Sequence, residues 1–327
     1  MGYILGIDQG GTKTDAIIID KEGIIMSIGK YKGANYAYDG IDAAMGAINE
    51  SAQMSFAAAG LGLADLDKIA VSMTGADWPH EYEFLEAELT KLFSANNVAV
   101  YNDCIGAMRA GGVSLPCGII CVGTGTNIAV RSNNGEIVYG YFVENRYQGA
   151  AALGFAAYEA IMRAHIGTGG ETSLSGPITE GRAKDPEDLL KKITMNEISI
   201  NYDDFLPIVY NEALKGDRVS VCIIEQFANG LCAYIFAGAA KLGIDINNFT
   251  LVLSGGVFKG QGRLLANEVK KCFAAYPGFK IVNARYEPVV GSALLGLESF
   301  YDFNIPDMIM ANIEHGCKKF NLLREKG

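Results

Sequence analysis

The chain has 327 residues, half of them hydrophobic, with 40 glycines, 8 prolines and a formal net charge of -10. Its length and apolar content suit two domains sharing a cleft and exclude a disordered or collagen-like chain. The acidic balance, without any basic run, argues against nucleic acid or acidic membrane surfaces as partners.

In chain order, Ile4–Ile7 and Ala16–Ile19 read as strands around a turn, Asp8-Gln9-Gly10-Gly11-Thr12-Lys13-Thr14. Gly10 and Gly11 allow a tight turn in which backbone N–H groups, the Thr12 and Thr14 hydroxyls and the Lys13 ammonium converge on an anion. Asp8, a carboxylate at the strand end, suits Mg²⁺ shared with phosphates. A plain hairpin with a solvated lysine is the alternative. A third strand follows at Ile24–Ile28, then a polar loop with Asn35 and Tyr36. Next come a helix over Asp39–Ala59, a strand at Ile69–Met73, a loop Thr74–Pro79, a helix over Glu81–Phe93, a strand at Val98–Tyr101 and a helix over Ile105–Ala110.

The opening arrangement then recurs: strand Gly118–Val122, turn Gly123–Thr126, strand Asn127–Arg131, turn, strand Glu136–Phe142. The duplication predicts two α/β domains facing each other, with a Gly/Thr turn from each lining the cleft. The second half adds helices over Gly149–His165, Pro186–Ile193, Asp203–Lys215 and Ser220–Leu242. After these come a strand at Phe249–Leu253 ending in Ser254-Gly255-Gly256, a helix over Gln261–Ala275, a strand at Lys280–Val282, a helix over Val290–Tyr301 and a terminal helix around Met308–Ile313.

Three strands thus end in small polar or glycine turns, where open α/β sheets bind ligands; each turn taken alone is also only a tight turn. Asp103 is either a general base toward a substrate hydroxyl or a helix N-cap. Asp77 beside Trp78 suits a sugar, or else is a turn former next to a core anchor. Asn35 reads as a loop residue. The Gln148–Gly154 stretch either closes on substrate or begins a tightly packed helix. Seven cysteines (104, 117, 121, 222, 232, 272 and 317) form no CxxC pair, so reduced thiols in a cytoplasm are expected. Three histidines stand at no zinc spacing. The N-terminus enters a strand without a basic n-region, so no signal peptide is expected. The apolar stretch Gln226–Ala240 is short for a bilayer span.

Together the segments DQGGTKT, TGADWP, NDCIGAMRAG, CVGTGTN, LGFAAYEAIMRA, LSGGVF and EPVVGSALLG resemble the sugar kinase, heat-shock and actin-like superfamily. Within it the chain is similar to the N-acetylglucosamine kinase-like group that includes BadF/BadG/BcrA/BcrD-type ATPases. The resemblance implies an α/β fold of two actin-like (ribonuclease H-like) domains, with mixed five-stranded sheets flanking an interdomain cleft. Their expected extents are residues 1–114 plus a C-terminal segment of about 303–327, and residues 115–302.

It also implies ATP and Mg²⁺ as cofactors, a small sugar as substrate, a homodimer, and cell-wall sugar recycling as the role. Asp8 would position Mg²⁺-bound water. Gly10, Gly11, Thr12, Lys13 and Thr14 would hold the phosphates, opposite Gly123, Thr124, Gly125 and Thr126. Ser254, Gly255 and Gly256 would border adenosine. Asp103 would be the base toward the sugar 6-hydroxyl, with Asn35, Asp77, Asn102, Asn127 and Gln148 lining the sugar pocket. Mammalian-type members carry an acid-bearing Leu-Gly-Asp-Glu-Gly-Ser-like stretch before one helix. Here residues 148–155 contain no acid, which suits an acceptor with its own carboxylate such as N-acetylmuramic acid. Competing readings are an ATPase that activates a dehydratase or reductase through an iron–sulfur cluster, and a sugar-responsive regulator or filament-forming relative.

Overall fold

The computed structural model describes residues 2–301 and 304–324. The first sheet comprises β1 (Tyr3–Gln9), β2 (Lys13–Asp20), β3 (Ile25–Lys32), β4 (Leu66–Met73) and β5 (Val98–Asn102), in the order β3-β2-β1-β4-β5. β1, β2 and β3 pair antiparallel, whereas β4 and β5 run parallel to β1. The second sheet repeats this plan: β6 (Cys117–Val122), β7 (Thr126–Ser132), β8 (Gly135–Val138), β9 (Thr250–Ser254) and β10 (Lys280–Asn283) lie in the order β10-β9-β6-β7-β8. Inner strands are covered on both faces, so they read as continuous apolar runs rather than alternating ones. Ile4, Leu5, Ile7, Ile119 and Ile120 are all fully buried.

Twelve helices complete the described chain: α1 (Tyr36–Asp39), α2 (Ile41–Ala59), α3 (Pro79–Phe93), α4 (Asp103–Arg109), α5 (Gly149–His165), α6 (Ser175–Thr179), α7 (Pro186–Thr194), α8 (Leu206–Leu214), α9 (Arg218–Lys241), α10 (Arg263–Cys272), α11 (Pro288–Glu298) and α12 (Asp307–Lys319). Single-turn 3-10 segments join several of them. The strand expected over 136–142 stops at Val138, because Gly140 at φ 27° turns the chain into a 3-10 turn over Gly140–Phe142. The helix expected over 203–215 divides into a 3-10 turn, Tyr202–Phe205, and α8, with Pro207 in the first turn of α8. α9 has 24 residues, long and apolar enough to cross a membrane by composition. It is a core helix instead: Phe227, Leu231 and Ile235 are buried against the second sheet.

α11, grouped by sequence with the second sheet, packs most of its apolar face on the first. Val289, Val290, Ala293, Leu294 and Leu297 form one core with Ile4, Ile17 and Ile19 of the first sheet. A Cβ at Gly6 would lie 2.4 Å from the Ala293 nitrogen, so glycine in β1 is what admits this helix. α12 adds Ile309, Ile313 and Cys317 to the same core. Within the C-terminal segment expected there, residues 303 and 325–327 lie outside the described residues.

The two sheets are tied through a buried ion cluster. Glu298, 2% exposed, lies 2.5 Å from Arg109 Nε of α4 and 2.8 Å from Arg131 Nη1 of β7, and Arg131 also reaches Glu136 at 3.1 Å. Burial and the Glu298 charge hold the Glu136 carboxyl up at about 6, against the pull of Arg131.

Candidate active site

A cleft of about 560 Å³ opens between the sheets, and three backbone corners converge on it. The first is the β1–β2 hairpin. Gly10 N donates to Lys13 O at 2.9 Å, and Ala34 N reaches back to Gly10 O at 3.1 Å. Neither Gly10 nor Gly11 takes a left-handed backbone. Their glycine character leaves space instead. A Cβ at Gly11 would meet no atom within 4 Å, and one at Gly10 would meet only Lys13 O at 3.4 Å.

The second corner, Gly123–Thr126, repeats this: Gly123 N donates to Gly125 O at 2.9 Å, and neither glycine's Cβ would meet anything within 4 Å. Its far side is stapled to α5. Thr126 Oγ1 donates to Tyr147 O at 2.6 Å and accepts Gly149 N at 2.9 Å. Gln148 Oε1 accepts Thr126 N at 3.1 Å, and Gln148 Nε2 donates to Val143 O at 3.0 Å. The third corner follows β9. Gly255 sits at φ 99° with its Cβ position 2.1 Å from Val122 O, so only glycine fits there, whereas Gly256 is open.

The acid end of the cleft is built at the carboxyl ends of β4 and β5. Asn102, fully buried, caps α4 by accepting Cys104 N at Oδ1 (2.9 Å), and it donates from Nδ2 to Ala76 O (3.0 Å) and Asp77 Oδ1 (2.7 Å). With the cap supplied by Asn102, Asp103 is free of that task and stands at the first position of α4. There Asn127 Nδ2 donates to Asp103 Oδ1 at 3.3 Å. Glu81, the third residue of α3, accepts the N–H groups of Asp77 and Trp78, each at 2.8 Å, and takes the Tyr36 hydroxyl at 2.5 Å. This is the capping-box geometry, and it fixes the Asp77–Trp78 backbone.

Electrostatically the floor is a set of under-compensated carboxylates. Burial, then the Asp103 charge, pushes Asp8 up to about 7. Burial, then Asp77, pushes Asp103 up to about 6, and burial with Glu81 raises Asp77. Desolvation and like charge both disfavour the ionised forms. Across the cleft mouth, Lys13 Nζ lies 2.7 Å from Asp15 and 3.1 Å from Glu287, and Arg324 Nε lies 3.3 Å from Glu287.

Of the residues expected at the site, Asp8, Gly10 to Lys13, Asp77, Asp103, Gly123 to Asn127, Gln148 and Ser254 to Gly256 line this one cleft. Three do not. Thr14 is fully buried, with its hydroxyl inside the sheet rather than at a phosphate. Asn102 spends its side chain within the protein. Asn35 caps α1, accepting Ala37 N at 2.9 Å. Glu287, Arg324, Lys259, Tyr141 and Glu81 were missed. Glu81 carried a signal, since Glu three residues into a helix is a capping pattern. Arg324 carried none; it arrives from the chain terminus through a bridge between Leu323 and Tyr286.

The donor set fits phosphates and a divalent cation. Five glycines leave open space facing the cleft, and Lys13 and Arg324 only partly offset the strand-end acids. Among the described residues no three His, Cys, Asp or Glu groups could hold a metal ion by themselves. A cation here would therefore take most of its ligands from water and phosphate, as Mg²⁺ does.

Two duplicated lobes with facing glycine corners and strand-end acids define an actin-like ATP-using enzyme. The chain belongs to the BadF/BadG/BcrA/BcrD ATPase family, whose model matches residues 5–296. It is 28% identical over 316 residues to the N-acetyl-D-glucosamine kinase of Dictyostelium discoideum, covering 90% of this chain and 98% of the relative. It is 25% identical to an N-acetylmuramic acid/N-acetylglucosamine kinase of Clostridium acetobutylicum, covering 90% and 98%. In fold it resembles a Chromobacterium violaceum protein assigned as an N-acetylglucosamine kinase, with a TM-score of 0.63 and 17% identity over 90% of this chain and 99% of that one.

Proposed function

We propose that the chain transfers the γ-phosphoryl group of ATP to the 6-hydroxyl of an N-acetylated amino sugar in cell-wall sugar recycling. N-acetylglucosamine and N-acetylmuramic acid are the acceptors named by the relatives. The observation that carries the reading is Asp103, half-buried in the same cleft as the glycine corners and held without serving as a cap. In this reading Asp103 takes the hydroxyl proton as the sugar oxygen bonds phosphorus and the bond to the ADP oxygen breaks. Asn127 holds the carboxylate in place, and such a base contributes about 10²–10⁴-fold.

The backbone N–H groups of Gly11–Thr12 and Thr124–Gly125 would hold the phosphates, with the Gly10 and Gly123 N–H groups fixing the two turns, and Ser254–Gly256 would border adenosine. Asp8 would hold Mg²⁺ through water; when bound, the ion supplies charge neutralisation at the phosphates. Lys13 would reach phosphate by leaving Glu287. The α5 start, residues 148–155, has no carboxylate, which leaves the pocket tolerant of an acceptor bearing one.

Two moving bodies belong to this reading: residues 2–114 with 288–301 and 304–324, and residues 115–287. α4, β7 and α11 each begin at the cleft and end at the Arg109–Glu298–Arg131 cluster, so that cluster is the natural pivot for closure. A homodimer belongs to it too; exposed Ile166, Met195 and Leu214 offer apolar surface, and light scattering tests it. Seven free thiols support a reducing cytoplasm. The deciding experiment is ADP release against N-acetylglucosamine, N-acetylmuramic acid, glucosamine and glucose. Turnover restricted to the acetylated sugars is the expected result, and no acceptor-dependent ADP release would refute the reading.

A further inference from the structure

Tyr141 stands where the two lobes meet above the acid end of the cleft. Its ring stacks on Trp78, with centroids 5.6 Å apart and planes 13° from parallel, and Phe142 meets Trp78 edge-on at 5.3 Å. Trp78 follows β4 of the first sheet, and Tyr141 follows β8 of the second. Tyr141 lines the cleft and is 59% exposed, whereas Trp78 does not line it. The aromatic presented to a ligand is therefore Tyr141, with Trp78 as its backing.

Both partners are pinned. The Trp78 and Asp77 amides bind Glu81. The Tyr141 segment is held because Tyr234 donates its hydroxyl to Phe142 O at 3.2 Å and accepts Glu144 N at 3.0 Å. Gly140, next to Tyr141, packs so closely on the acid end that a Cβ there would lie 3.0 Å from Asp77 Oδ1 and 3.6 Å from Asn127 Oδ1. A rigid ring face thus adjoins the carboxylates that would take a sugar's hydroxyls.

Resting on the kinase reading above, we propose that Tyr141 is the acceptor-specificity platform, its ring taking the apolar C–H face of a pyranose while Asp77 and Asp103 take its hydroxyls. The chemistry selects a ring with one contiguous C–H face and equatorial hydroxyls. Because the backing ring comes from the opposite lobe, a docked sugar also strengthens the contact that joins the lobes.

Trp78 is the sole tryptophan of the chain, so its emission reports this stack directly. Addition of N-acetylglucosamine without nucleotide should shift Trp78 emission, saturating near the acceptor KM. Tyr141→Ala should raise the acceptor KM about tenfold, the size of one aromatic contact, with the KM for ATP within about twofold of wild type. Tyr141→Phe should restore the acceptor KM, because the ring and not the hydroxyl is used. An unchanged acceptor KM in Tyr141→Ala, an equal defect in Tyr141→Phe, or a flat emission titration would each overturn the assignment. Should Tyr141→Ala not fold, Tyr141→Phe and the wild-type titration decide. Wild-type enzyme that turns over amino sugars with any of these failures retains the kinase reading and loses only Tyr141. Wild-type enzyme that releases no ADP with any amino sugar loses both.

Discussion

Asn102 Nδ2 lies 2.7 Å from Asp77 Oδ1, while the same side chain's Oδ1 caps the helix that Asp103 begins. One buried amide therefore sets the position of two carboxylates from two different strands. Asn102→Ala removes the cap and leaves the Asp77 carboxylate and Ala76 carbonyl short of a donor. It should cost about 1–3 kcal/mol of stability and lower turnover more than acceptor affinity. Urea unfolding and steady-state kinetics on one preparation check this; unchanged turnover with lost stability would reduce Asn102 to scaffold.

Asp103 must be ionised to accept a proton, and burial with the Asp77 charge holds it up at about 6. We expect kcat/KM to rise with pH through about 6, with Asp8 extending the rise to about 7, and then level, since that profile reports the free enzyme's groups. Asp77→Asn removes a charge that raises Asp103 and should move the acid limb to lower pH. Asp103→Asn should fold normally with turnover reduced by roughly 10²–10⁴-fold. A pH profile indifferent to Asp77 would count against the coupling.

Asp8 is raised from 3.8 to about 7, so the folded chain holds that proton more tightly than the unfolded chain. Its stabilising effect is present below pH 3.8 and is lost as pH climbs through about 7. At pH 8 the buried carboxylate costs stability, and Asp8→Asn should gain about 2 kcal/mol without ligands. The same variant should lose most of its activity. Calorimetry at pH 5 and pH 8 tests the sign: the gain should shrink at the lower pH.

The glycines separate into two kinds. Gly125→Val fills open space and should leave the melting temperature nearly unchanged while weakening ATP binding at least about tenfold. Gly255→Ala must place a Cβ 2.1 Å from Val122 O at a left-handed φ, so it should destabilise the fold outright, by about 2 kcal/mol or more. Isothermal titration with a nonhydrolysable ATP analogue, beside thermal melts, distinguishes the two. Unaltered nucleotide affinity in Gly125→Val would remove that corner from the site.

Local pattern made much of this visible in advance. The apolar runs Ile4–Ile7 and Gly118–Val122, each ending in a glycine turn, announced the duplicated sheets, because buried central strands need continuous apolar sequence. What stayed hidden depended on contacts far apart in the chain. Thr14 looked like a phosphate donor, but pairing opposite Gln9 turns its hydroxyl inward. Asn102 beside Asp103 looked like a second substrate contact, yet only the tertiary position of Asp77 shows where its amide goes. α11 follows β10 directly in sequence and was grouped with it, although its apolar face belongs to Ile4 and Ile17. Arg324 enters the cleft from 37 residues beyond Glu287, a distance no local rule spans.

The core of the first sheet is finished by α11 and α12, which follow both sheets in the sequence. Until they emerge from the ribosome, Ile4, Ile17, Ile19 and Ile25 lack the cover these helices give, although their strands are translated well before. Nascent chains thus carry an open greasy sheet until α11 and α12 are made, and products terminated before α11 should be clients for chaperones or proteases rather than soluble fragments.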